Sequence, residues 1–138
     1  MSHQGPMKQS KKVQIASETR VKVTSKKITD TLAVLEIEDK LMTDEHIKMI
    51  QNGLSELLED SFRQIVVDLS RIKRINSSGL GSLISLFNMA RNKDAELKIG
   101  GLNEFVKNVL NITKLTEVFE IHMSQEEAIQ SFQSSSSR

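Results

Sequence analysis

Short apolar runs rich in β-branched residues alternate along this chain with longer segments whose apolar residues recur at helical spacing. Residues 31–38 and 64–70 are the clearest of these runs, and apolar side chains occupy most of their positions. A strand buried on both faces has this composition, because helices cover both sides of a parallel sheet. The alternation therefore predicts an α/β fold with right-handed crossovers between parallel strands.

Four segments carry the signals of helices. Residues 43–60 begin with the candidate N-cap Thr43 and repeat Ile and Leu on one stripe. Residues 77–92 place apolar side chains at i, i+3, i+4 and i+7. A third helix begins at Asn103, and Ser124 with Glu127 forms a capping box ahead of a fourth. About four helices are expected to cover the sheet.

The order of elements predicts a mixed, mostly parallel sheet of four to five strands. Val13 and Ile15 alternate with polar residues, as do Val21 and Val23, so either pair could start the first strand. The second pair is favoured because a short polar turn follows it and leads into the longer strand. The last strand is expected around residues 118–121.

Charge and composition divide the chain into a single domain at residues 20–133, a flexible basic leader at 1–19 and a flexible tail at 134–138. Residues 1–27 carry seven cations and one acid, while the rest carries 12 cations and 17 acids, a net charge of −5. We expect a solvated arm rather than nucleic-acid or membrane binding, because no aromatic residues are interleaved with its lysines.

Several classes of function are disfavoured by what the sequence lacks. It has no cysteine, which excludes disulfides and thiolate chemistry, and its three histidines, His3, His46 and His122, do not cluster. His46 is expected on the solvated side of its helix. Neither a Gly-x-Ser-x-Gly elbow nor a P-loop is present. We therefore expect a non-enzymatic protein that binds no metal and no cofactor.

Hydropathy adds an expectation about location. No apolar run reaches the roughly 20 residues that a membrane-spanning helix requires. The first residues, MSHQGPMKQSKK, lack the apolar stretch of a secretory signal. A cytoplasmic protein is expected.

The turn that opens the second helix is the strongest candidate for a functional site. Residues 76–81 read Asn-Ser-Ser-Gly-Leu-Gly, and two glycines in a first helical turn cost about 1 kcal/mol each relative to alanine. A phosphoryl group on a serine there would meet backbone N–H donors and would change the charge of any docking surface. From local chemistry alone, a docking turn and a plain helix cap remain open.

The segment I-N-S-S-G-L-G-S-L-I at residues 75–84 resembles the signature of the STAS family, which includes bacterial anti-sigma factor antagonists and domains of sulfate transporters. The resemblance extends over residues 20–133. It implies that Ser77, with Ser78 as the alternative, accepts a phosphoryl group from an anti-sigma factor with GHKL-type serine kinase activity. The unphosphorylated chain would bind that kinase and displace a sigma factor, regulating transcription, and a PP2C-type phosphatase would restore the unphosphorylated form.

Two positions depart from the family pattern. Asn76 stands where the family has Asp, and Met42 ends a stretch that in the family reads Gly-x-Leu-Asp. These departures motivate an alternative function, a constitutive STAS adaptor subunit in a signalling or transport complex without phosphorylation. In either case the expected partner-binding residues are Asn76, Gly79, Leu80, Gly81, Met42 and Arg74.

Overall fold

A computed structural model describes residues 11–15 and 21–136 of the chain. The strands are β1 (Lys11–Ile15), β2 (Lys22–Lys27), β3 (Leu32–Leu41), β4 (Gln64–Ile75), β5 (Glu96–Leu102) and β6 (Ile121–His122). The helices are α1 (Asp44–Glu59), α2 (Ser77–Asn92), α3 (Glu104–Ile112) and α4 (Gln125–Ser136), with a 3-10 turn at Leu115–Glu117.

The sheet follows the chain, with strand order β1-β2-β3-β4-β5-β6. The pairs β1–β2 and β2–β3 are antiparallel, and the three pairs from β3 to β6 are parallel. The expected α/β class, the mixed and mostly parallel sheet and the four helices are therefore confirmed. The described residues form six strands, one more than the upper expectation.

The extra strand is β1, which pairs along its whole length with β2 and lies where the sequence predicts a flexible leader. Both candidate starts at residues 13–15 and 21–23 therefore belong to strands or their edges. The rest of the expected leader lies outside the described residues. At the other end α4 continues to Ser136, and so includes the first residues of the expected tail. The last strand begins at Ile121, after the 3-10 turn, rather than at residue 118.

The two faces of the sheet bury two separate apolar clusters. Ala33, Leu35, Ile65 and Val67 point to the face that α1, α2 and α3 cover, and the larger, aliphatic cluster fills this layer. Their alternating neighbours face the opposite way, because successive side chains of a strand point to opposite faces. There α4 contributes Ala128 and Phe132, which pack on Leu32, Val34 and Val66.

A charged side chain also lies beneath α4. Lys98 of β5 is 4% exposed, and its Nζ donates to Ser131 Oγ over 2.8 Å and lies 3.2 Å from Glu120 Oε2. The same Nζ sits 4.2 Å from the centre of the Phe132 ring. Lys98 therefore joins the sheet to α4 through an ion pair, a hydrogen bond and a cation–π contact.

Strands β3 and β4 extend beyond the rest of the sheet at its carboxyl edge. Leu69 pairs with Leu102, where β5 ends, while β4 continues to Ile75 alongside β3. The final register pairs Leu41 with Ile75. This two-stranded projection carries the first turn of α2, and so it positions the turn that the sequence singles out.

Candidate functional site

The turn between β4 and α2 is closed by Asn76, which is the N-cap of α2. Its extended backbone (φ −115°, ψ −172°) starts the helix, and its Oδ1 accepts the Gly79 N–H over 2.9 Å. Its carbonyl oxygen accepts the Leu80 N–H over 2.9 Å. The first contact satisfies a backbone donor that helix geometry leaves unpaired, and the second is the first intrahelical hydrogen bond of α2.

The other end of the Asn76 amide joins α2 to the end of β3. Nδ2 donates to the carbonyl oxygen of Met42 over 3.1 Å. An aspartate at this position would present only acceptors to that carbonyl. Asn76 therefore makes a contact that an ionised aspartate could not make.

Met42 is held in turn by His46. The N–H groups of Met42 and Thr43 both donate to His46 Nδ1, over 3.1 and 3.2 Å, and the His46 N–H donates to Thr43 Oγ1 over 3.2 Å. This reciprocal arrangement is the capping box of α1. A chain of hydrogen bonds therefore runs from the start of α1, through residue 42, to the start of α2.

The expectation of a solvated His46 is wrong. The side chain is 1% exposed, because its ring folds back over the first turn of α1 to accept the two N–H groups. Burial lowers its pKa and the charge of Lys40 lowers it further, while the smaller effects of Glu45 and Asp39 oppose this shift. Since Nδ1 accepts, the ring is neutral and carries its hydrogen on Nε2, which has no hydrogen-bond partner among the described residues. The spacing Thr43-x-x-His46 is the sequence signal that reveals this role.

Ser77 and Ser78, the expected phospho-acceptors, are both exposed in the first turn of α2. Ser77 is the first residue of a 16-residue helix whose first turn contains no acid. By contrast, α1 begins with Asp44 and Glu45. The positive end of the α2 dipole is therefore not offset by acidic side chains of its own first turn.

The two glycines of the turn have different explanations. A Cβ on Gly79 would overlap the Leu41 carbonyl oxygen and lie 2.8 Å from Ile75 Cγ1, so the packing of α2 on the projection requires glycine there. Gly79 is buried, and its packing is internal rather than open to a partner as expected from sequence. A Cβ on Gly81 would meet nothing within 4 Å. No packing contact within the fold therefore explains why a glycine, with its low helix propensity, occupies position 81.

The other expected partner-binding residues lie around the same edge. Met42 and Leu80 are half-buried, and Leu80 packs against the larger apolar cluster. Arg74 is exposed near the end of β4, where its register partner is Lys40. The turn, the end of β3 and the exposed Arg74 thus share one side of the molecule.

Features of other functional classes are not found in the part of the chain that the structure describes. Residues 11–15 and 21–136 contain no group of three or more His, Asp or Glu side chains that could hold a metal ion. Across the same ranges, no helix combines the length and apolar character needed to cross a membrane.

Known structures share this architecture. The anti-sigma factor antagonist SpoIIAA in its unphosphorylated form matches with a TM-score of 0.68 and 16% identity, over 81% of this chain and 96% of that one. The Bacillus cell fate determinant SpoIIAA in the phosphorylated form gives a TM-score of 0.62 and 15% identity, over 80% and 98%. A sulfate transporter family protein from Wolinella succinogenes gives 0.58 and 14%, over 70% and 80%.

At these sequence identities the structural matches establish a common fold only. The family is assigned by the match of the sequence to a family model. The profile of the STAS domain matches residues 23–128, from β2 into α4. That span includes the projection, the Asn76 cap and both exposed serines. The chain belongs to the STAS domain family.

Proposed function

We propose that this chain is a cytoplasmic anti-sigma factor antagonist that binds an anti-sigma factor through the first turn of α2. Ser77 accepts a phosphoryl group from that partner, which has GHKL-type serine kinase activity, and phosphorylation ends the binding. A PP2C-type phosphatase reverses it. The exposed Ser77 hydroxyl at the first position of α2 is the observation that carries this proposal.

The rigidity of the turn explains how one modification can act as a switch. Asn76 bonds to both Gly79 and Met42, and Gly79 packs against the backbone of β3, so the turn has little freedom to rearrange. A phosphoryl group adds about 1.5 to 2 negative charges at neutral pH. Its effect therefore falls on the charge of the docking surface rather than on the fold.

Similarity to SpoIIAA supports the proposal. That protein is an anti-sigma factor antagonist, and its structure is known in unphosphorylated and phosphorylated forms. The exposed glycine of the turn, Gly81, supports it as well, since its missing side chain leaves room for another molecule.

A constitutive adaptor is the second candidate. It is favoured by the absence of acids from the first turn of α2 and by Asn76 and Met42, which replace the two acids of the family pattern. The similarity to a sulfate transporter family protein fits the same alternative. In this role the turn would dock without being modified.

Mass analysis of the protein from its native cell separates the two candidates. We expect a fraction heavier by one phosphoryl group, with the modification mapped to Ser77. We also expect Ser77→Asp to lose the co-purifying anti-sigma factor, while Ser77→Ala retains it and Ser78→Ala serves as the matched control. If the protein is never modified and both Ser77 variants bind like wild type, the adaptor function replaces the switch.

A further inference from the structure

Three cations gather on the projection beside the turn, and we call Lys40, Lys73 and Arg74 the cationic ridge. Lys40 and Arg74 are register partners on the adjacent strands β3 and β4, and Lys73 and Arg74 are exposed. The ridge therefore lies at the carboxyl edge of the sheet, directly before Asn76 and the first turn of α2.

The cations of the ridge form no ion pair with a described residue, although Lys73 lines the same pocket as Glu38 and Asp39. Arg71, also on β4, faces Glu38 across a 3.5 Å ion pair. Within residues 11–15 and 21–136, no carboxylate oxygen lies within 4.0 Å of a Lys40, Lys73 or Arg74 side-chain nitrogen. Like charges at paired positions of adjacent strands repel each other. The Lys40–Arg74 pair thus carries an unfavourable interaction that a group outside the chain could relieve.

The surroundings of the ridge indicate what kind of group this is. Residues 28–138 contain 12 cations and 17 acids, and Asp39, Asp44 and Glu45 lie close to the ridge in sequence. A long polyanion such as nucleic acid would extend beyond the three cations and would be repelled by these neighbouring acids. A folded protein with a local acidic patch could contact the three cations of the ridge without bringing its negative charge close to the neighbouring acids.

We propose that the cationic ridge is part of the docking surface and that the partner presents carboxylates to it. This inference rests on the proposed function and specifies the partner's chemistry. It also explains release, because a phosphoryl group on Ser77 would repel those carboxylates and would compete with them for the ridge. The switch therefore operates without the acids that the STAS pattern places at positions 42 and 76.

The test measures how fast the anti-sigma factor that co-purifies with the chain associates with purified variants. Arg74→Glu should slow association about tenfold at low salt, and raising NaCl from about 50 to about 300 mM should remove most of the difference. Arg74→Glu should also raise the melting temperature, since it replaces a cation beside Lys40 with an anion. Lys107→Glu, the same charge change at an exposed site on α3, should leave association unchanged.

A second arm needs no natural partner. Titration of the chain with a short, end-blocked polyglutamate peptide should shift the backbone NMR signals of Lys40, Lys73 and Arg74, whereas polylysine should not.

If the anti-sigma factor binds Arg74→Glu and Lys40→Glu as fast as wild type, the ridge inference is overturned and the proposed function stands. If no anti-sigma factor co-purifies but polyglutamate shifts the ridge, the proposed function fails and the ridge remains an acid-binding surface. Tighter binding of duplex DNA than of polyglutamate at the ridge would overturn the inference.

Discussion

The side-chain amide of Asn76 bridges to the Met42 carbonyl oxygen over 3.1 Å while its oxygen caps α2. One side chain thus satisfies a backbone donor of the helix and a backbone acceptor at the end of β3. The site is therefore held by a neutral amide, whose oxygen and nitrogen each form one of these two hydrogen bonds.

Substitution of Asn76 tests this double role. Asn76→Ala loses both contacts and should lower the free energy of unfolding by about 1 to 2 kcal/mol. Asn76→Asp keeps the cap and gains a favourable interaction with the helix dipole, but places an acceptor against the Met42 carbonyl, so we expect a net loss below about 1 kcal/mol. Urea denaturation measures both. An aspartate variant more stable than wild type would contradict the assigned bond.

The two glycines of the turn should respond in opposite ways to alanine. Gly79→Ala forces a methyl group into the backbone of β3 and should destabilise the fold by about 2 to 3 kcal/mol. Gly81→Ala adds a methyl group in open space within a helix and should stabilise it by up to about 1 kcal/mol. Thermal melts of the two variants provide the comparison.

Gly81→Ala also separates folding from docking. If the missing side chain serves a partner, the stabilised variant should bind the anti-sigma factor at least about tenfold more weakly, equivalent to about 1.4 kcal/mol. Calorimetric titration measures the affinity. Wild-type affinity in the stabilised variant would show that Gly81 does not contact the partner.

The buried His46 should make stability depend on pH. Its folded pKa lies below the ordinary value of 6.5, so the unfolded chain takes up the proton first as the pH falls. Stability should be complete above about pH 6.5 and should then decline by at most about 1.4 kcal/mol per pH unit. Urea denaturation between about pH 7.5 and 5.5 covers this window and avoids the carboxyl titrations near pH 4.

Histidine variants identify the titrating group. His46→Gln should flatten the stability profile across that window, because the replacement does not ionise. His122→Gln, which removes a partly exposed ring next to Glu120, should retain the decline. A profile that persists in His46→Gln would assign the decline to another group.

Lys98 should control how firmly α4 is held. Lys98→Met removes the cation from Glu120, Ser131 and the Phe132 ring. We expect a loss of about 1 to 3 kcal/mol and faster hydrogen exchange of the α4 amides. Lys93→Met, at an exposed position after α2, is the matched control and should leave α4 exchange unchanged.

The parts of the fold that follow from local pattern could be predicted from the sequence. The i, i+3, i+4, i+7 repeat predicts α2, and the Asn76 cap is present where residue type predicts one. The sequence assigns residues 11–15 to a flexible leader, because two alternating apolar residues do not specify a pairing partner. The pairing with β2 is a tertiary contact that no local signal encodes.

Residues buried by distant segments could not be recognised. Lys98 occupies a strand position that alternation assigns to the opposite face from Leu97 and Ile99, and only the docking of α4 encloses it. In the same way, position 79 and position 81 carry the same residue type, and only the proximity of Leu41 and Ile75 to Gly79 distinguishes them. The burial of His46 could have been predicted only by recognising a capping box in which His replaces the usual Glu.

The two outer strands restrict how other molecules can attach. Among the described residues, one border of the sheet is the two-residue β6, and the other is β1, whose sequence begins with two consecutive lysines. Short borders and lysines are features that discourage the addition of a foreign strand. Recognition by extension of the sheet is therefore disfavoured on both sides, and complexes of this domain should form through its loops and helix ends.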